Sequence, residues 1–382
     1  MDLEVWQSDD VLKPNCPYLP GFTVEIVQHI PPPPFGGPKY SKTIRKPASE
    51  DWLRTVTQTE AILTHPPLET PAPSEPPRRA HIAVTKALAV GNARGAQLVE
   101  CSVRYDQQQP EKVRDLLPST VVAKIYDSLY YDRANSISGN PTDTAFAADR
   151  DYSREAAAYG FLEDKGLTGN FTPRYYGSWT LRWPVPITQS DQTLGQMHRD
   201  VRLVLIERLD GTPMRDLFVR NKANDMAVDE DIDDASHLPE EYRLEVAAQV
   251  FEGIVRQRHV GLNQGDLAPR NIVIVPSPHQ AQILSPSELR VVLIDYNTAV
   301  VQEHTVRFHA GVKRERPLNP ARWLWSESLP ELRGWVPDWW YLDVKRRRQW
   351  LYLSFVAQGK GDAYASPDIE LDPEAEPIEQ YD

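Results

Sequence analysis

A chain of 382 residues with 41% hydrophobic and 25% charged residues has the composition of an ordinary globular protein with room for a large core. Its 42 basic and 54 acidic residues leave a formal charge of −12, which argues against nucleic acid and anionic membrane surfaces as partners. Cys16 and Cys101 form no paired or metal-ligand spacing, so neither a disulfide scaffold nor a zinc site is expected. The first residues show no basic and apolar leader, and no apolar run is long enough to span a bilayer. A reduced, cytoplasmic setting follows as the expectation.

Fifteen of the 34 prolines precede Arg78, in runs such as PPPPFGGP and PPLETPAPSEPP. Residues 1–80 therefore read as a proline-rich, mostly disordered arm with one short helix over Ser49–Leu63; the arm is a spacer or a ligand that docks a partner protein. From His81 the texture changes. HIAVTKALAVGNARGAQLVECSVR predicts a strand, a small-residue turn and a second strand, and STVVAKIYDSLYY predicts a third. Tyr152, Ala156 and Tyr159 recur at helical spacing, with Gly166 as the stop. PRYYGSWTLRW and VRLVLIERL predict two further strands. An acidic stretch around Asp229–Asp234 reads as a solvated loop. Pro239 then opens a helix striped by Leu244, Ala248, Phe251 and Val255. NIVIV and RVVLIDY predict two short strands. Most of the remainder reads as helical or irregular: Lys345–Trp350 as a helix with Trp350, Leu351 and Leu353 inward, six of the ten tryptophans as core, and residues 362–382 as an acidic disordered tail.

Asp266, Asn271 and Asp295 each stand at the edge of one of these apolar strands. Burying three such groups unpaired costs several kcal/mol, on the order of 2–7 each. A magnesium ion with phosphate oxygens would pair them, with Asn271 and Asp295 as oxygen ligands and Asp266 free to accept a proton from an attacking hydroxyl.

These residues carry a resemblance. D-L-x-x-x-N over Asp266–Asn271, followed by a strand, a connector and D-Y-N, resembles the catalytic loop and metal motif of the protein-kinase-like superfamily. The loop QGDLAPRN is closest to the aminoglycoside phosphotransferase and choline kinase branch, with Gln264 where that branch has histidine. The resemblance covers His81 to Ala299. It implies an α+β, two-lobe kinase-like fold: an N-lobe over 81–209 built on a small antiparallel sheet and a shortened helical C-lobe over 210–361. It implies Lys124 in VVAKI as the lysine that contacts the ATP phosphates and Glu155 as its ion-pair partner. The turn at Gly91, Ala93 and Gly95 stands where a glycine-rich loop belongs, and Glu207, Arg208 and Leu209 where backbone groups meet adenine. Asn297 replaces a glycine and is expected to take a left-handed conformation. The activity implied is ATP- and magnesium-dependent transfer of the γ-phosphoryl group to a hydroxyl of a protein or small molecule. The alternative is a catalytically inactive nucleotide-binding or scaffold protein.

Overall fold

The computed structural model describes residues 10–70, 76–105, 117–135, 137–188, 194–220, 233–277, 289–308, 315–324 and 330–366. The expectations for the acid-rich stretch before residue 233 and for the tail beyond residue 366 fall outside these. The chain forms two compact units. One comprises Met1–Asp164, Arg174–Arg208 and Tyr296–Arg307; the other comprises Lys165–Pro173, Leu209–Asp295 and Phe308–Asp382.

The first unit is built on six strands: β1 (Thr23–Gln28), β2 (Arg79–Ala89), β3 (Gln97–Tyr105), β4 (Thr120–Tyr126), β5 (Tyr175–Thr188) and β6 (Leu194–Ile206). Alternate residues point inward, as a period of two demands. Val24 and Ile26, Ala80, Ile82 and Val84, Val99 and Cys101, Val121, Ala123 and Ile125, Trp179 and Leu181, and Val201, Leu203 and Leu205 form one buried cluster. The strands are antiparallel in the order β1-β2-β3-β4-β6-β5, and the sheet closes on itself.

This closed barrel overturns the expected two-lobe kinase-like fold with a small antiparallel-sheet N-lobe and a shortened helical C-lobe. The closing strand comes from the arm that composition marks as disordered. β1 pairs with β2, setting Val24 opposite Ile82, and also with β5, setting Ile26 opposite Leu181. Both sheet edges are thereby removed. The rest of the arm is also built in. Helices α1 (Glu50–Leu53) and α2 (Gln58–Thr64) replace the single helix expected, and each begins at a side-chain cap, Ser49 and Thr57. Tyr18 is fully buried, and its hydroxyl donates to Asp127 at 2.6 Å. Arg199 holds the same carboxylate through two bonds of 3.1 and 2.7 Å.

A long helix, α3 (Thr144–Asp164), lies against β4, β5 and β6. It starts earlier than the periodicity predicts because Asp143 accepts from the Phe146 backbone N–H at its first turn.

In the second unit, α4 (Glu240–Val260) stops at Gly261, whose φ of 106° only glycine adopts readily. Leu244, Phe251 and Val255 are buried as the stripe predicts, with Ala247 in place of Ala248. Trp335 and Trp340 are fully buried, and Trp335 exchanges bonds of 2.8 and 2.7 Å with Arg243 of α4. A three-stranded sheet joins β7 (Thr212–Pro213), β8 (Ile272–Val275) and β9 (Arg290–Leu293), with β8 central. Helix α5 (Val344–Phe355) buries Leu351, whereas Leu353, expected inward, is exposed. No helix among the described residues is long and apolar enough to cross a membrane.

Candidate functional site

In the first unit, Lys124 sits on β4 between the inward residues Ala123 and Ile125, so it shares the outer face with Val122 and Tyr126. That face lies against α3. Glu155, 1% exposed, accepts from the Lys124 Nζ at 2.5 Å and from the Tyr126 hydroxyl at 2.5 Å. Two ions held this far from water cost more in desolvation than an exposed pair, and a second donor on the carboxylate offsets part of that cost. The Lys124 ammonium also lies 5.8 Å from the centre of the Tyr126 ring. Lys124 and Glu155, both named from the sequence, are thus in contact. Tyr126 was not singled out, although its place two residues along the same strand face marks it as a neighbour of Lys124.

The Gly91–Gly95 turn joins β2 to β3 with three left-handed residues: Gly91 (φ 141°), Ala93 (φ 56°) and Gly95 (φ 84°). Its shape depends on Gln97, a fully buried side chain. The Gln97 amide donates to the carbonyls of Gly91 and Gly95, both at 3.0 Å, and accepts from the Gly91 N–H at 2.7 Å. The Gly91 N–H is thus committed within the turn, and the Arg94 N–H donates to the Tyr130 carbonyl at 3.3 Å. Glu207 follows β6, and its N–H donates to the Arg174 carbonyl at 2.9 Å. Arg208 pairs with Glu100 at 2.9 Å. Leu209 belongs to the second unit and is half-buried.

In the second unit the antiparallel register sets Ile272 of β8 opposite Leu293 of β9. Asn271, just before β8, therefore faces the residues just after β9, and its carbonyl accepts from the Ile294 N–H at 2.9 Å. Asp295 follows directly. The Asn271 amide donates to the Asp266 carboxylate at 2.9 Å and to the Asp266 carbonyl at 3.0 Å. Gln264 secures the other flank of the loop by donating to the Ile294 carbonyl at 2.8 Å. One end of one hairpin thus gathers Asp266, Asn271 and Asp295. Arg270, which the sequence reading passed over, pairs with Asp266 at 2.7 Å; its i,i+4 spacing was the available signal. The left-handed residue here is Asp295 itself, at φ 64°, and not Asn297 as expected. A non-glycine residue held in that region stores strain of about 1–3 kcal/mol.

Among the described residues no cluster of three or more histidine, cysteine or acidic side chains could cage a metal ion. Asp295 and Asn271 would bring one carboxylate and one amide oxygen to a metal, the Asn271 nitrogen being turned to Asp266. Such a sparse oxygen set suits magnesium, which keeps several waters and shares its remaining positions with substrate phosphates. No family model matches the chain, and no curated protein is similar enough to match it.

Proposed function

We propose that the chain is a magnesium-dependent phosphotransferase that moves the γ-phosphoryl group of ATP to a hydroxyl of a protein or small-molecule acceptor. The observation that carries this reading is the gathering of Asp266, Asn271 and Asp295 at one end of the β8–β9 hairpin, with Asn271 bonded to Asp266. The buried Lys124–Glu155 pair supports it from the first unit, because an anchored ammonium is the group that grips a polyphosphate. In this reading Lys124 binds phosphate oxygens and Glu155 orients its ammonium. Asn271 and Asp295 hold magnesium, which when bound neutralises charge on the phosphate oxygens. Asp266 accepts the proton of the acceptor hydroxyl, positioned for that by the Asn271 amide. Arg270 adds a cation beside it.

A second reading, a nucleotide-binding protein without transfer, is favoured by one observation. Two backbone donors placed to meet the nucleotide, Gly91 and Glu207, are committed to Gln97 and Arg174.

The test combines binding and turnover. ATP with magnesium at 100 times the Kd should stabilise the protein by about 2.7 kcal/mol. Asp266→Ala should keep that shift and lose transfer by about 10²–10⁴-fold, the usual worth of a general base. Asp295→Ala should lose both. Transfer by Asp266→Ala at the wild-type rate would remove Asp266 from this role, and a nucleotide shift with no transfer to any acceptor would favour the second reading.

A further inference from the structure

The proline-rich arm grips the first half of α3, from Asp143 to Arg154. At the start of the helix, Phe35 is fully buried against Phe146, with ring centres 5.5 Å apart, and the Ala48 N–H donates to Asp143 at 2.8 Å. In the second turn, Asp149 accepts from Arg45 and, at 2.8 Å, from the Leu68 N–H. One turn on, the Tyr152 hydroxyl and His29 Nε2 share a bond of 2.7 Å. The last grip falls beside Glu155. The Arg154 Nε donates to the Phe35 carbonyl at 3.0 Å, and its guanidinium lies 5.8 Å from the centre of the Tyr40 ring.

Glycine suits this approach. Gly36 and Gly37 have φ of 74° and 68°, and a Cβ on Gly37 would stand 2.6 Å from an Arg154 guanidinium nitrogen. The turn itself is closed by the Gly36 N–H on the Ser41 carbonyl at 2.9 Å. Tyr40 anchors it within the same unit: its hydroxyl donates to the Ala299 carbonyl at 3.1 Å and accepts from the Val301 N–H at 2.7 Å.

We propose that Arg154, held by the Phe35–Ser41 turn, is a positioning residue for the Lys124–Glu155 ion pair, so that the arm acts as a built-in clasp on the nucleotide-binding lysine. This role rests on the phosphotransfer reading. The bonds that Glu155 accepts from Lys124 and Tyr126 are each 2.5 Å long. A displacement of α3 that lengthens either contact by more than about 1 Å breaks it. Arg154, the residue that precedes Glu155 on the helix, is held by the arm through a hydrogen bond and a ring contact together.

Calorimetric titration of the full chain with ATP and magnesium tests this, using variants that keep the wild-type melting transition. Arg154→Met and Glu155→Gln should each weaken nucleotide binding about tenfold, equivalent to about 1.4 kcal/mol. The double variant should bind no more weakly than Glu155→Gln alone, because the clasp acts through that carboxylate. Gly37→Ala, which pushes the guanidinium aside without removing it, should reproduce the Arg154→Met loss and carries the test should Arg154→Met not fold. Losses that add in the double variant, or unchanged affinity in either clasp variant, would overturn the clasp while leaving the phosphotransfer reading intact. A wild-type chain that binds no nucleotide would overturn that reading, and this role with it.

Discussion

Gln97 is the side chain on which the Gly91–Gly95 turn rests. Its amide supplies two donors and one acceptor to backbone groups of a turn that contains three left-handed residues. Leucine of similar size would fill the space and leave those groups without partners. Gln97→Leu should therefore destabilise the protein by about 1–3 kcal/mol, the cost of unsatisfied polar groups, read as a lower urea midpoint at an unchanged slope. An unchanged midpoint would mean that the turn holds itself. Nothing in the sequence marks Gln97, because its partners are brought to it only when the hairpin closes. The ionisable residues of the candidate site were legible for the opposite reason. Asp266, Asn271 and Asp295 are polar residues at strand edges, and a strand edge can be read from period and β-branching alone. The left-handed conformation of Asp295 could not be read so, since the side chain most tolerant of it, Asn297, stands two residues away.

At the scale of elements, α3 couples the arm to the barrel, and His29 is where the coupling depends on pH. The residue follows β1 and lies between α3 and β5. Its Nε2 meets the Tyr152 hydroxyl at 2.7 Å and its Nδ1 meets the Thr180 hydroxyl at 3.0 Å. Burial, and after it the nearby Arg202 guanidinium, lowers the His29 pKa from 6.5 to about 3. The unfolded chain takes up this proton near pH 6.5, whereas the folded chain resists it until about pH 3. The stabilisation from a neutral His29 is thus fully present above about pH 6.5 and is lost as pH falls towards 3, at up to about 1.4 kcal/mol per pH unit. Urea midpoints of His29→Gln should fall less steeply over that interval than those of the wild type. Parallel profiles would mean that the imidazole titrates normally in the folded protein. Buried Asp149 and half-buried Asp151 on α3 have raised pKa values, chiefly from desolvation, and oppose this trend in both proteins, so the comparison isolates His29. Helix α3 was foreseen from Tyr152, Ala156 and Tyr159, all of which are buried. Its partners in the arm were not, because the arm was read by composition and composition does not record pairing.

For the molecule as a whole, the arm decides whether the first unit has a core at all. The strands from β2 onward were legible, since each alternates inward apolar residues with outward ones. The closed architecture was not, because β1 has only Val24, Ile26 and their neighbours to announce it among prolines that suggest extended spacer. Yet β1 covers the free edges of β2 and β5 together, and the arm buries Tyr18, Ile26, Phe35, Tyr40, Leu53 and Ile62. At about 1.5–3 kcal/mol for each large apolar side chain removed from water, these six contribute on the order of 10 kcal/mol. Whole domains are stable by only about 5–15 kcal/mol. Deleting residues 1–77 should therefore abolish cooperative folding of the first unit. It would also expose two long strand edges, β2 and β5, to pairing between molecules. The expected result is a truncated chain that has lost the thermal transition of that unit and self-associates on size-exclusion chromatography, with loss of protease resistance across β2–β6. A disordered spacer predicts the reverse: a truncated chain that is monomeric and melts with the full-length transition. That outcome would mean that β1 decorates the barrel rather than closes it.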